Sequence, residues 1–317
     1  MSKVVESFGT GFVLTTIVKH DDGDYRWTRR PGPHRGGAIR TPDPTVLAAV
    51  RAVPRGRVGL TVPEPREGAG VTYRTGQARS IAAVLLGLRP GTEKFDIEQV
   101  AMDTLVETGT TLARLHTVPV PQTDLPSPAG PQRLLSWLRS GQGPTAAPEL
   151  HSHATGILGH DRISTVEAWC VPPSEGRHVL LHGAPGHGIL LPLTQDQDGC
   201  LLTGEDLSSG PPEFDVGWLI GELVEFRETF QQPGHNTFPA LDYDALIGCV
   251  LDGYNAPLDL AAVGRAAALR FLTHTHDFAA YVGWHDVLAD YLKLVADAID
   301  AADAGQLLPS SSHKVSH

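Results

Sequence analysis

"HVLLHGAPGHGILLPL", residues 178–193, is the stretch that decides how this chain folds. A run of valine and leucines breaks at His182-Gly183 into a glycine-punctuated loop and turns apolar again at Ile189. Short apolar runs bounded by glycine read as buried strands, so the segment reads as strand, loop, strand. Loops held this way are where catalytic groups commonly sit. This one carries no carboxylate, amide or hydroxyl: Gly183, Ala184, Pro185 and Gly186 separate its two histidines.

The 317 residues suffice for one large domain or two lobes with a continuous core. Hydrophobic residues make up 41% and charged residues 19%, an ordinary globular composition. With 36 acidic and 25 basic side chains the net charge is −11, which repels a phosphate backbone and argues against nucleic acid as a partner. The basic segment 25–40, YRWTRRPGPHRGGAIR, is the place where a local exception would arise. Cys170, Cys200 and Cys249 are odd in number and sit in apolar contexts, which predicts buried free thiols and a reducing, cytoplasmic setting. No apolar run reaches membrane-spanning length, so no membrane association is expected.

Outward from the loop, residues 8–30 read as a twisted hairpin turning at "DDGD", followed by a helix over 44–53. "VGLTVPEP" (58–65), "GVTYRT" (70–75) and "SIAAVLLGL" (80–88) read as short strands. Helical spacing follows at 96–117, near 131–140, and over 147–158 and 161–170. "GCLLTGEDLSSG" (199–210) is the β partner of the opening stretch. The remainder reads as helices at 212–230, 241–253, 258–274, 276–281 and 285–304. The expectation is an α+β, bilobal chain: a small β-rich lobe over 1–90, a helical lobe with an embedded hairpin over 91–306, and a flexible tail over 307–317.

"TLARLHTVP" (111–119), "VLLHG" (179–183), "GEDLSSGPPEFDVGWLIGEL" (204–223) and "YVGWHD" (281–286) occur in an order that resembles the aminoglycoside phosphotransferase-like family. The resemblance implies a protein-kinase-like fold with ATP and Mg²⁺ as cofactors, and covers most of the chain. Family members move a phosphoryl group to a hydroxyl held in line, its charge neutralised by metal and a cation. They place an Asp two residues after the loop His, an Asn farther along and an Asp opening the next β-turn. Here those positions hold Ala184, Gly188 and Thr203, which implies reduced metal affinity. Arg29 or Arg30 stands where the family's small-lobe cation meets nucleotide phosphates, and Asp215 where an acid supports the loop backbone.

Two readings stay open. In one, the chemistry has moved to Glu205 and Asp206, with His182 and His187 relaying protons near neutral pH. The altered loop then resembles phosphotransferase-like proteins of lanthipeptide and thioamitide biosynthesis. That implies a precursor-peptide substrate, Ser/Thr phosphorylation and a lyase-type partner. In the other, the chain is a pseudokinase scaffold that binds a partner without transferring phosphate. Plainer roles stand beside each residue: His182 as a brace of the loop, His187 as an exposed turn, Glu205-Asp206 as a polar turn, Arg29-Arg30 as a solvated strand end. Asp215 can equally serve as a helix N-terminal acid. "SFGTGF" (7–12) reads as a turn before a strand, and His274 and His276 diverge on a helix without forming a metal site. A hydrolase with a G-x-S-x-G elbow ranks below both, because "LTGEDLSSG" does not fit the pattern.

Overall fold

The computed structural model describes residues 3–64, 68–87, 94–121, 124–172, 175–230 and 241–309. Strands β1 (Lys3–Gly9), β2 (Val13–Lys19), β3 (Tyr25–Pro31) and, after helix α1 (Pro44–Arg51) and strand β4 (Val58–Thr61), β5 (Val71–Thr75) build the first lobe. Its antiparallel sheet runs β1-β2-β3-β5. The β2–β3 register pairs Thr15 with Arg29 and Ile17 with Trp27. Since strand side chains alternate, Thr15, Ile17, Trp27 and Arg29 share one face, the face toward the second lobe. Ahead of the anticipated hairpin lies the edge strand β1, whose residues are all exposed. Asp43 caps α1 by accepting from the Thr45 N–H, and Pro44 suits the first helical turn.

"SIAAVLLGL", read as a strand, is instead helix α2 (Ile81–Leu86). Ser80 caps it, its hydroxyl oxygen accepting from the Ala83 N–H at 3.2 Å. An apolar run this short shows no period, and the cap decides the matter. The sheet of the first lobe ends at Thr75, and α2 already packs on the second lobe. The boundary anticipated at 90 lies outside the described residues.

The second lobe contains α3 (Lys94–Leu115), α4 (Ala129–Ser140), α5 (Ala147–Trp169), α6 (Glu213–Phe230), α7 (Tyr243–Tyr254), α8 (Leu260–Tyr281) and α9 (Val287–Asp303). Between α5 and α6 the chain makes β6 (Val179–Leu181), β7 (Leu190–Leu191), β8 (Gly199–Leu202) and β9 (Ser208–Gly210). β6 pairs with β9, and β8 lies between β7 and β4, joining the lobes. Gly159, at φ 73° and ψ 172°, breaks α5 where two helices were read. The helices read at 258–274 and 276–281 are one, α8. α6 is the central helix, packed on α7 and α8. A Cβ at Gly217 would stand 2.3 Å from the Val263 carbonyl oxygen, so only glycine permits that approach. The tail is partly packed: Leu307 is buried and its carbonyl accepts from Arg227 at 3.0 Å. Residues 310–317 lie outside the described ones.

All three cysteines are free, and burial pushes their thiols up, to about 12 for Cys170 and about 11 for Cys200 and Cys249. They stay protonated and unreactive at neutral pH. No described helix is long and apolar enough to cross a membrane.

Candidate functional site

The loop between β6 and β7 hangs from α6. The main-chain N–H groups of His182 and Gly183 donate to the two carboxylate oxygens of Asp215, at 2.6 and 2.9 Å. Asp215 stands in the first turn of α6, where the helix dipole favours negative charge. His116 Nε2 meets the same carboxylate at 3.0 Å, and its Nδ1 meets the Tyr254 hydroxyl at 2.9 Å. Burial pushes that phenol up to about 12, so it remains an O–H and donates to the ring, leaving Nε2–H to donate to Asp215. Every member of this chain is buried.

His182 was a candidate proton relay. Its Nε2 donates to the Leu202 carbonyl at 3.1 Å, and its Nδ1 faces the Ala184 N–H at 3.4 Å. Burial lowers its pKa, so the ring is neutral. With both nitrogens turned to the backbone, it braces the loop and leaves no nitrogen open for a substrate. Gly183, at φ +83°, lies beneath the Asp206 carbonyl oxygen, which an added Cβ would approach to 1.7 Å. No other residue fits there.

Above this support the side chains change character. Ala184 and Gly188 offer no oxygen. Thr203 is buried and gives its hydroxyl to the Thr61 carbonyl at 3.2 Å. Glu205 is paired with Arg35 and also accepts from the Arg40 main-chain N–H at 3.3 Å. Burial, with Asp206 beside it, raises the Glu205 carboxyl even though Arg35 opposes the shift. Asp206 is half-buried, and its charge reaches Tyr73, Arg133 and His182. Arg29 lies close enough to Tyr73 for its charge to oppose the larger, burial-driven rise of that phenol's pKa, whereas Arg30 is exposed on the other face of β3. The structure thus gathers Arg29, Glu205 and Asp206 at one mouth and leaves Arg30 outside it.

His187, anticipated as exposed, is fully buried. Its Nδ1 lies 2.6 Å from Glu222 Oε2, which also accepts the His187 main-chain N–H at 2.8 Å. Arg270 donates to Oε1 of the same carboxylate at 2.5 Å. Burial alone would raise Glu222, but Arg270 and His187 hold it well below the usual carboxylate range. Sequence reasoning missed Glu222 and Arg270 because they come from α6 and α8, far from the loop. The "SFGTGF" segment forms the β1–β2 turn and reaches the second lobe. Gly11 N–H donates to the Tyr281 carbonyl at 2.7 Å. The Phe12 ring lies 4.8 Å from the Tyr281 ring, with Arg35 and Arg133 at 4.5 and 4.9 Å from its centroid. Burial would raise Asp277, yet Arg133, at 3.0 Å, and His276 hold it at about 2. Two of the five arginines of the basic segment are ion-paired within the protein, Arg26 with Glu64 and Arg35 with Glu205.

Magnesium requires several oxygens in near-octahedral order. Among the described residues no three His, Cys, Asp or Glu side chains gather to hold a metal ion. Thr203 is buried and uncharged, Glu205 is held by Arg35 and the Arg40 N–H, and Asp206 alone makes no site. The residues present do not fit a resident Mg²⁺.

A small antiparallel sheet over a helical lobe, with a loop hung from an acid of the central helix, defines the protein-kinase-like fold. Solved structures show the same architecture. An amicoumacin kinase in complex with AMP-PNP, Ca²⁺ and Ami matches at TM-score 0.55 and 13% identity, over 99% of this chain and 92% of that one. An ethanolamine kinase from Plasmodium vivax matches at 0.54 and 10%, over 95% and 82%. An AMP-bound spectinomycin phosphotransferase matches at 0.51 and 12%, over 95% and 94%. No protein-family model and no curated protein matches the sequence.

Proposed function

We propose that this protein is a kinase-fold scaffold that transfers no phosphate itself and holds a Ser/Thr-bearing precursor peptide for a lyase-type partner. One observation carries the reading. The loop's support is complete, while the positions that would take a proton or a metal are Ala184, Gly188 and a buried, uncharged Thr203 whose hydroxyl proton goes to the Thr61 carbonyl. Phosphoryl transfer in this fold depends on positioned charge, and removing three acceptor groups together removes its means. A net charge of −11 suits a basic peptide. An apolar cavity of about 550 Å³, lined by Trp169, Phe214 and Leu269 with Arg265 and Glu213 among its polar groups, offers a seat for a side chain.

A second reading has its own observation. Asp206 is an uncommitted carboxylate at the mouth, with Arg133 and His182 in its field. If it orients a Ser or Thr hydroxyl, the protein phosphorylates the peptide, and the phosphate then leaves more readily than hydroxide in a lyase step. Calorimetric titration of a basic Ser/Thr peptide, with and without ATP and Mg²⁺, separates the two. The scaffold reading expects equal binding in both and an unchanged peptide mass. A phosphopeptide that disappears in Asp206→Asn establishes the second reading, and no peptide binding overturns the first.

A further inference from the structure

In a kinase fold the phosphates lie under the β1–β2 turn and near a cation on β3, here Arg29. A nucleotide anchored there places its base on the same sheet face, farther from the turn and nearer the segment joining the lobes. Two residues along β3 from Arg29, on that face, is Trp27.

The indole fills this position. Trp27 is 2% exposed and packs in one cluster with Ile17 and Tyr73 of the small lobe and with Leu191 and Leu202 of the large lobe. Its Nε1–H donates to the Gln77 carbonyl at 2.9 Å, in the segment between β5 and α2. The Thr75 hydroxyl donates to the same oxygen at 2.9 Å, so its acceptor capacity is taken. The Gln77 side chain in turn donates to the Pro192 carbonyl at 2.6 Å, tying the joining segment to the residue after β7. Phe8 of β1 closes over the ring edge-on, at 6.3 Å between centroids. Indole and purine are both flat, fused five- and six-membered rings with an N–H donor on the edge. The side chain thus has the shape and the hydrogen bond that a base would bring.

We propose that Trp27 is a built-in occupant of the base slot, so that the inter-lobe cleft closes without a nucleotide. This deepens the scaffold reading and rests on it, since a protein that transfers phosphate from ATP must admit ATP. The lobes are then held in fixed relation by the chain itself, and partner binding does not depend on nucleotide.

Calorimetry of the intact protein with ATP, with and without Mg²⁺, tests this first. The expected result is no saturable heat; saturable binding that adenosine displaces overturns the plug. Binding without transfer would overturn the plug alone and leave the scaffold reading standing, whereas a phosphorylated peptide would remove both. Trp27→Ala opens the slot, and adenosine should then raise its Tm while leaving the wild type unmoved. Where Trp27→Ala is too unstable to purify, Trp27→Leu is measured in the same way, with added indole as the positive control for an opened slot. A variant whose Tm rises with indole but not with adenosine shows that the slot does not take a base, and contradicts the proposal.

Discussion

The underside and the upper side of one loop have been treated differently. Below, Asp215, His116, Tyr254 and the N–H groups of His182 and Gly183 form a buried network whose donors and acceptors meet within 3.0 Å. Above, Ala184 and Gly188 bring no reactive side chain, the Thr203 hydroxyl is turned inward and Glu205 is locked to Arg35, which leaves Asp206 as the one open acid there among the described residues. The lower network is needed for folding, because unpaired buried N–H groups and a lone buried carboxylate each destabilise the chain. The upper groups would be needed only for chemistry. This is the pattern that the proposed scaffold role expects: a loop whose shape is secured from below while its upper face is poor in reactive groups.

That contrast can be broken at several points. Asp215→Ala should have the largest effect, about 3–5 kcal/mol by urea unfolding, because it strands two N–H donors and His116 in the interior. Gly183→Ala comes next, at about 1–3 kcal/mol or more, since a positive-φ backbone and the Asp206 carbonyl both oppose a Cβ. Its check is the unfolding midpoint together with soluble yield. Thr203→Val should cost about 1 kcal/mol, the worth of one buried hydroxyl bond. A loss of that size identifies Thr203 as structural; an unchanged midpoint would return it to the list of groups available for chemistry. Asp206→Asn should move stability by no more than about 0.5 kcal/mol, as befits a half-exposed group at the mouth.

The smallest effect concerns pH. His274 lies 2.7 Å from a carboxylate oxygen of Glu225, which raises its pKa against the opposing effect of burial. A raised histidine contributes stability that is fully present below its unfolded pKa of about 6.5 and is lost as pH rises through the folded value. Glu225→Gln should therefore flatten the dependence of Tm on pH above that point. An unchanged slope would show that the pair contributes nothing measurable.

Much of the support was legible because it is local or patterned. The apolar runs flanking His182-Gly183 specify β6 and β7, whereas Asp215 was singled out by the resemblance, since Glu213 shares the first turn of α6 with it. The absence of oxygens at Ala184 and Gly188 needs no structure to see. The commitment of Thr203 to Thr61, of Glu205 to Arg35 and of His187 to Glu222 was not legible. Those partners lie on other elements, and nothing in a short window distinguishes a hydroxyl that points in from one that points out. His187 shows the hazard most plainly: a glycine-flanked histidine reads as a solvated turn, yet packing α6 against α8 brings Glu222 and Arg270 onto it. Trp27 was hidden for the same reason, as an alternating strand gives its face but not the space it fills. Helix α2 was missed because its cap residue was read as part of a strand.

The central claim is that the cleft keeps the supports of a kinase and lacks the reagents. Its most direct test is mass spectrometry of a Ser/Thr peptide after prolonged incubation with an equimolar amount of the protein, ATP and Mg²⁺, beside the Asp206→Asn variant. An unmodified peptide in both samples is the predicted result. Phosphopeptide formed by the wild type and abolished by the substitution would contradict it and place an active carboxylate at Asp206.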